Sequence, residues 1–118
     1  MNLDKWSIEL MGRLVKTLRS GEMAIPVAGS PLRAIVWKPT ENIEQAFEFA
    51  EWARKNSNTL FFVDSRFVFN NDSEKRWLVS ALPGQNRWCT FDNLAITIME
   101  ALHEAIEGTS PEKASQAG

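Results

Sequence analysis

The tract NTLFFVDSRFVFNND, residues 58–72, alternates too regularly for a helix. Phe61, Val63, Ser65, Phe67 and Phe69 fall on one side at a period of two, and Phe62, Asp64, Arg66 and Val68 fall on the other. A period of two sends successive side chains to opposite faces of a β-strand. One continuous strand from Leu60 to Asn70 is therefore predicted, with an aromatic face and a half-polar face. Such a strand needs partners for its backbone and a covering layer for its phenylalanines.

The following residues supply the partners. Asn70-Asn71-Asp72-Ser73 has turn chemistry, RWLVSAL (76–82) reads as a returning strand, PGQN (83–86) as a second turn, and RWCT (87–90) as a short third strand. The result is an antiparallel meander. Arg-Trp occurs in it twice, at Arg76-Trp77 and Arg87-Trp88. A loop of two or four residues places Ala81 opposite Trp88, so Trp88 joins Trp77, Val79 and Ala81 on the covered face. Arg76 and Arg87 then lie on the open face, near Asp64 or Arg66. A three-residue loop flips Trp88 to the other side. The even-length loop is the expectation, and it argues against an aromatic-basic platform that stacks on single-stranded bases.

Helical periodicity supplies the covering layer. Residues 3–20 carry Leu3, Trp6, Leu10, Leu14 and Leu18 at spacings of three and four, with Asn2 or Asp4 as cap and Gly21 as stop. Gly12 inside that helix costs about 1 kcal/mol relative to alanine. Pro26 and Pro31 mark residues 22–33 as a connector, and AIVWK (34–38) is a short strand ended by Pro39. Thr40 caps a helix to residue 56 whose buried face is Ile43, Ala46, Phe47, Ala50 and Ala53. Trp52 falls nearly opposite that face, so the N-terminal region or a partner subunit must cover it. A last helix, 91–107, can be capped by Thr90, buries Phe91, Leu94, Ala95, Ile98, Leu102, Ala105 and Ile106, and stops at Gly108. The fold class is α+β: a three- to four-stranded, mainly antiparallel meander packed with two to three helices. Residues 1–108 form one domain, with 1–39 as N-terminal helix and connector, and the polar tail 109–118 is expected to be disordered.

Composition narrows the functions. The chain has 118 residues, 44% of them apolar, enough for a core without disulfide or metal staples. Five Trp and seven Phe with no Tyr supply large buried side chains. The formal net charge of -2 lacks the basic excess of a general nucleic-acid binder. A single cysteine, Cys89, suits a reducing compartment. The N-terminus shows no signal peptide, and no run is long enough to cross a membrane, so a cytoplasmic protein is expected.

Catalytic and metal signals are thin. There is no Gly-rich phosphate loop, no paired-Cys motif and no Gly-x-Ser-x-Gly. Cys89 and His103, the only Cys and the only His, lack a third group to orient the base. Glu100, His103 and Glu107 share a helix face, but a metal would need ligands from a second element. No catalytic residue, metal ligand or cofactor is assigned. Trp52, Phe62, Arg66, Arg76 and Arg87 are the candidate binding residues, because they are the apolar and cationic groups left outside the expected core.

TENIEQAFEFAEWARKN, the strands around RWLVSAL, and CTFDNLAITIMEALHEAI together resemble the small phage and prophage proteins described as the ABA-sandwich domain. The resemblance covers about residues 40–107, and the segment 1–39 departs from it. It implies a phage or prophage origin and an accessory role, with no activity to transfer. The function expected is a non-enzymatic binding protein that occupies a host protein. The alternatives are a homo-oligomer that captures a small ligand in a Trp/Arg-lined intersubunit pocket, and a small Cys/His enzyme.

Overall fold

The computed structural model describes residues 1–13, 15–27, 30–67 and 75–108, and the side chains of 27, 30–32, 65–67 and 75 are outside that description. The fold is α+β, with three helices and two three-stranded antiparallel sheets. Leu14, Val68, Phe69, the expected turn at 70–73 and the tail 109–118 lie outside the described residues, as do the side chains of Arg66 and Phe67.

The meander forms where the alternation places it. Strand β4 (Leu60–Phe67) pairs with β5 (Lys75–Leu82), and β5 pairs with β6 (Arg87–Cys89). Phe61 and Val63 turn inward against the core, while Phe62 and Asp64 are exposed. The second sheet was not expected. It consists of β1 (Lys16–Thr17), β2 (Met23–Val27) and β3 (Ser30–Val36), in that order. Two expectations fall with it, the helix running to residue 20 and the connector at 22–33, most of which is β2 and β3. The helix predicted to residue 20 is α1, Leu3–Met11. Gly12 adopts a left-handed φ of 66° and caps it through its N–H to Glu9 and Ile8 carbonyls. Leu18, which continues the helical spacing, belongs to the β1–β2 hairpin instead, with a tight turn in which Gly21 N donates to Leu18 O at 2.9 Å. Pro26 does sit in a strand, but past the two residues of β2 that β1 pairs, where no ladder donor is needed on that side.

Helix α2 (Ile43–Asn56) and helix α3 (Leu94–Glu107) lie against the inner face of β4–β5–β6. Asn42, not Thr40, caps α2, accepting from Gln45 N at 3.1 Å. Thr40 is held by Asp4, whose two carboxylate oxygens accept from Thr40 N and Oγ1, both at 3.0 Å. A 3-10 turn at Phe91–Asn93 leads into α3; Thr90 stands before it but makes no side-chain capping hydrogen bond, and α3 itself starts at Leu94. Helix α3 is buried on more than the predicted stripe, since Thr97, Met99 and His103 are also buried. It has the sheet on one side, α2 alongside it, and Trp6 of α1 against its His103. Trp6 of α1 meets the rings of Phe49 (5.3 Å) and His103 (4.8 Å) and donates its Nε1 to Glu107 at 3.1 Å. Phe91 and Phe47 were expected in the core and are not. Phe91 is 62% exposed beside Trp77, and Phe47 is exposed at the rim against Phe61.

The second sheet is tied down by buried polar contacts. Trp37, just past β3, is fully buried and donates Nε1 to Ser7 Oγ at 2.9 Å. Gln45 of α2 accepts from Lys38 N at 2.6 Å and donates to Val36 O at 2.8 Å, stapling the end of β3 to the helix.

Candidate functional site

The register between β5 and β6 decides which face each Arg-Trp pair serves. Trp77 pairs with Cys89, Leu78 with Trp88 and Val79 with Arg87. Trp88 is therefore on the opposite side from Trp77, and Arg87 is on the covered side with Val79. This overturns the expected placement of both residues, and the cause is the turn. Gly84 N donates to Ala81 O at 2.8 Å, which closes a tight turn at Ala81–Gly84. Gln85 N is then given to Glu104 of α3 at 2.7 Å. The ladder resumes in the odd register, with Ser80 Oγ bonded to Asn86 Oδ1 at 2.6 Å. Gly84 makes this possible, because a Cβ there would sit 2.9 Å from Ala81 O and 3.0 Å from Glu104 Oε1.

Turned inward, Arg87 meets two carboxylates on α3. Its guanidinium lies 3.0 Å from Glu104 and 3.9 Å from Glu100. Its Nε is buried with no hydrogen-bond partner among the described residues. The pair Glu100 and Glu104, four residues apart, was the sequence signal that could have located Arg87, since two like charges on one buried helix edge call for a cation. Arg87 is thus a structural tie between β6 and α3 and leaves the set of candidate binding residues.

Among the described residues no helix covers the outward face of the meander. Across its strands the pairings bring together Leu60 with Leu82, Phe62 with Ser80, and Asp64 with Leu78, which in turn faces Trp88. Leu60 is 66% exposed, Phe62 51%, Trp88 50% and Leu82 39%, and Leu78 is half-buried between them. Arg66 pairs with Arg76 at the end of the strands nearest the β4–β5 connection. Of the sequence candidates, Phe62, the Arg66 strand position and Arg76 therefore share one face. Trp52 does not join them: it is half-buried on α2, stacked on Phe49 with ring centroids 5.9 Å apart. Trp88, Leu60 and Leu82 were missed, Trp88 because of the loop parity and the leucines because they end their strands.

The remaining chemistry is dispersed. Cys89 meets Thr97 on the sheet side of α3, while His103 meets Trp6 on the other side. Burial pushes the Cys89 thiol above its ordinary range, partly offset by the Thr97 hydrogen bond. Glu100 turns to Arg87 and Glu107 to Trp6. Among the described residues no group of three or more His, Cys, Asp or Glu could hold a metal ion, and no helix is long and apolar enough to cross a membrane. A cleft of about 490 Å3 between α1 and the β1–β2 hairpin has Ile8, Met23 and Trp37 in its lining. The charges at its rim are committed to one another or to the fold: Asp4 to Thr40, Lys5 to Glu9, and Lys38 to Glu22 and Glu41. Comparison with protein-family models, with curated proteins and with solved structures gives no match.

Proposed function

We propose that this chain is a non-enzymatic binding protein that acts by occupying another protein, and that it does so through the open face of β4–β5–β6. The observation that carries the reading is the pair Phe62 and Trp88, half-exposed on a sheet face that no helix covers among the described residues. Exposed contiguous apolar patches of more than a few hundred Å2 usually mark partners, and aromatic residues are enriched at the energetic centres of such contacts. The polar groups support the same reading, because those that could do chemistry are spent on holding elements together. In the phage or prophage setting that the resemblance implies, the target is a cytoplasmic host protein with a flat apolar surface of similar size.

The test is capture from host extract, followed by titration of the identified target against purified wild-type chain, Phe62→Ser, Trp88→Ser and Ile35→Ser. Ile35 is an exposed apolar residue of the other sheet and serves as control. The two open-face variants should each weaken the target's affinity by roughly tenfold or more, and the Ile35 variant should not. Equal affinity for all four chains would contradict the proposal.

A further inference from the structure

We infer that the cleft between α1 and the β1–β2 hairpin binds a free α-amino acid with an apolar side chain. This second site shares no residue with the open face of β4–β5–β6 and stands or falls apart from it.

The cleft has the size and the floor of a small-molecule site. Its volume of about 490 Å3 lies within the roughly 300–1,000 Å3 of pockets that take such ligands. Ile8 and Trp37, both fully buried, contribute to its lining. The Trp37 indole is held in place by its bond to Ser7 Oγ at 2.9 Å, so the floor exists before any ligand arrives. Val15, which is exposed, and Met23, which is half-buried, also line the cleft. They are the apolar surface that a ligand can still take out of water.

The charges of the lining select the other half of the ligand. Lys5 and Glu9 lie one turn apart on α1, with Nζ and Oε1 3.9 Å from each other and both side chains largely exposed. Off the helix, Lys38 and Glu22 form a second pair in the same lining at 3.5 Å. The cleft thus offers a cation and an anion side by side, twice. A ligand with a single charge is attracted by one member of such a pair and repelled by the other. An α-amino acid carries its ammonium and carboxylate roughly 3 Å apart on one carbon, close to the spacing of Lys5 and Glu9. Laid antiparallel along that pair, the ammonium meets Glu9 and the carboxylate meets Lys5, and neither protein charge loses its partner. Ile8, three residues after Lys5, is on the same side of α1, so the apolar floor lies next to the seat of the charged end. The charged end therefore stays at the mouth, in water, while the side chain covers Val15 and Met23.

Titration of the full chain with L-leucine, followed by backbone amide chemical shifts, tests the site. Leucine should bind with a Kd on the order of 1 mM or tighter and shift the amides of Ile8 and Met23. Three analogues each lack one part of it: isopentylamine the carboxylate, 4-methylpentanoate the ammonium, and glycine the side chain. Each should bind roughly tenfold more weakly or worse. Lys5→Ala, Glu9→Ala and Val15→Ser should each weaken leucine binding roughly threefold or more. All three positions are exposed. Phe62→Ser, on the open sheet face, should leave leucine binding unchanged. Leucine that shifts no amide of the cleft would overturn the inference. So would an amine or an acid that binds as tightly as leucine, or an affinity for leucine indifferent to both Lys5 and Glu9. Should a variant fail to fold, the analogue series on the wild-type chain decides.

Discussion

Trp88 stands directly across from Leu78, and that one pairing places an indole on the open face of the sheet and turns Arg87 beneath helix α3. Two neighbouring residues of one short strand thereby take opposite tasks. Arg87 fastens β6 to the helix layer, and Trp88 builds the surface through which the protein is proposed to work.

Glu104 is the anchor of this register. It accepts from Gln85 N at 2.7 Å and from Arg87 Nη2 at 3.0 Å. Glu104→Ala removes both acceptors and leaves Arg87 with Glu100 alone at 3.9 Å. The pair is partly solvated, so the expected loss is about 1–3 kcal/mol, read by urea unfolding. A loss well below that range would mean that the turn does not depend on the helix.

Gly84 and Gly12 should respond to alanine for different reasons. Gly84→Ala forces a Cβ to within 2.9 Å of Ala81 O and 3.4 Å of Ala105 N, both backbone atoms. Overpacking of this kind costs about 1–3 kcal/mol. Gly12→Ala meets open space, but its φ of 66° is left-handed, and the cost there is about 1 kcal/mol of backbone strain. Thermal melts of the two variants should therefore rank Gly84→Ala as the less stable. The reverse order would contradict the close seat of the turn on α3.

The buried bond from Trp37 to Ser7 joins the second sheet to α1. Ser7→Ala strands a fully buried indole N–H and should cost about 1–3 kcal/mol. In the background of Trp37→Phe, which has no N–H to strand, the same substitution should cost less. A double-mutant cycle on unfolding free energies measures the difference. Strict additivity would show that the two side chains do not depend on each other.

Cys89 should be slow to alkylate. Burial raises its thiol pKa, so at a pH near the ordinary thiol value less thiolate is present than in the unfolded chain. The sign for stability follows. The neutral thiol is favoured in the folded state, so this contribution is complete below the unfolded pKa and is lost as pH rises through the folded one. The Thr97 hydrogen bond pulls the other way, so Thr97→Val should slow labelling further. Labelling as fast as in denaturant, at matched pH, would contradict the inward placement of Cys89.

Much of this fold was legible because period two and period 3.6 are strong signals in residues 40–108. The aromatic alternation of Phe61 to Val63 and the apolar stripe of α3 from Leu94 to Ala105 read correctly, while Phe91 did not. Two kinds of information were not legible. Loop parity at Pro83–Asn86 depends on Gln85 donating to a helix that follows it in sequence, a tertiary contact that local turn chemistry does not encode. In the N-terminal third, leucines spaced for a helix run on past Gly12, and only the left-handed φ at that residue ends the helix. The candidate site inherited the first ambiguity. Alternation put Phe62 and Arg76 on the face they occupy, whereas Arg87 and Trp88 were each assigned to the wrong one.

Stability should be insensitive to the open face and sensitive to the layer beneath it. Trp88→Ser should change the unfolding free energy by less than about 1 kcal/mol at low protein concentration. Leu102→Ala, at a fully buried position of α3, should cost about 2–5 kcal/mol. Comparable losses in the two variants would place Trp88 in the core.

The placement of Trp88 is measured most directly by nuclear Overhauser contacts across β5 and β6. Backbone protons of Leu78 should be close to those of Trp88, and those of Trp77 close to those of Cys89. Contacts joining Ala81 to Trp88 instead would return the indole to the covered side, bring Arg87 out, and contradict the docking face altogether.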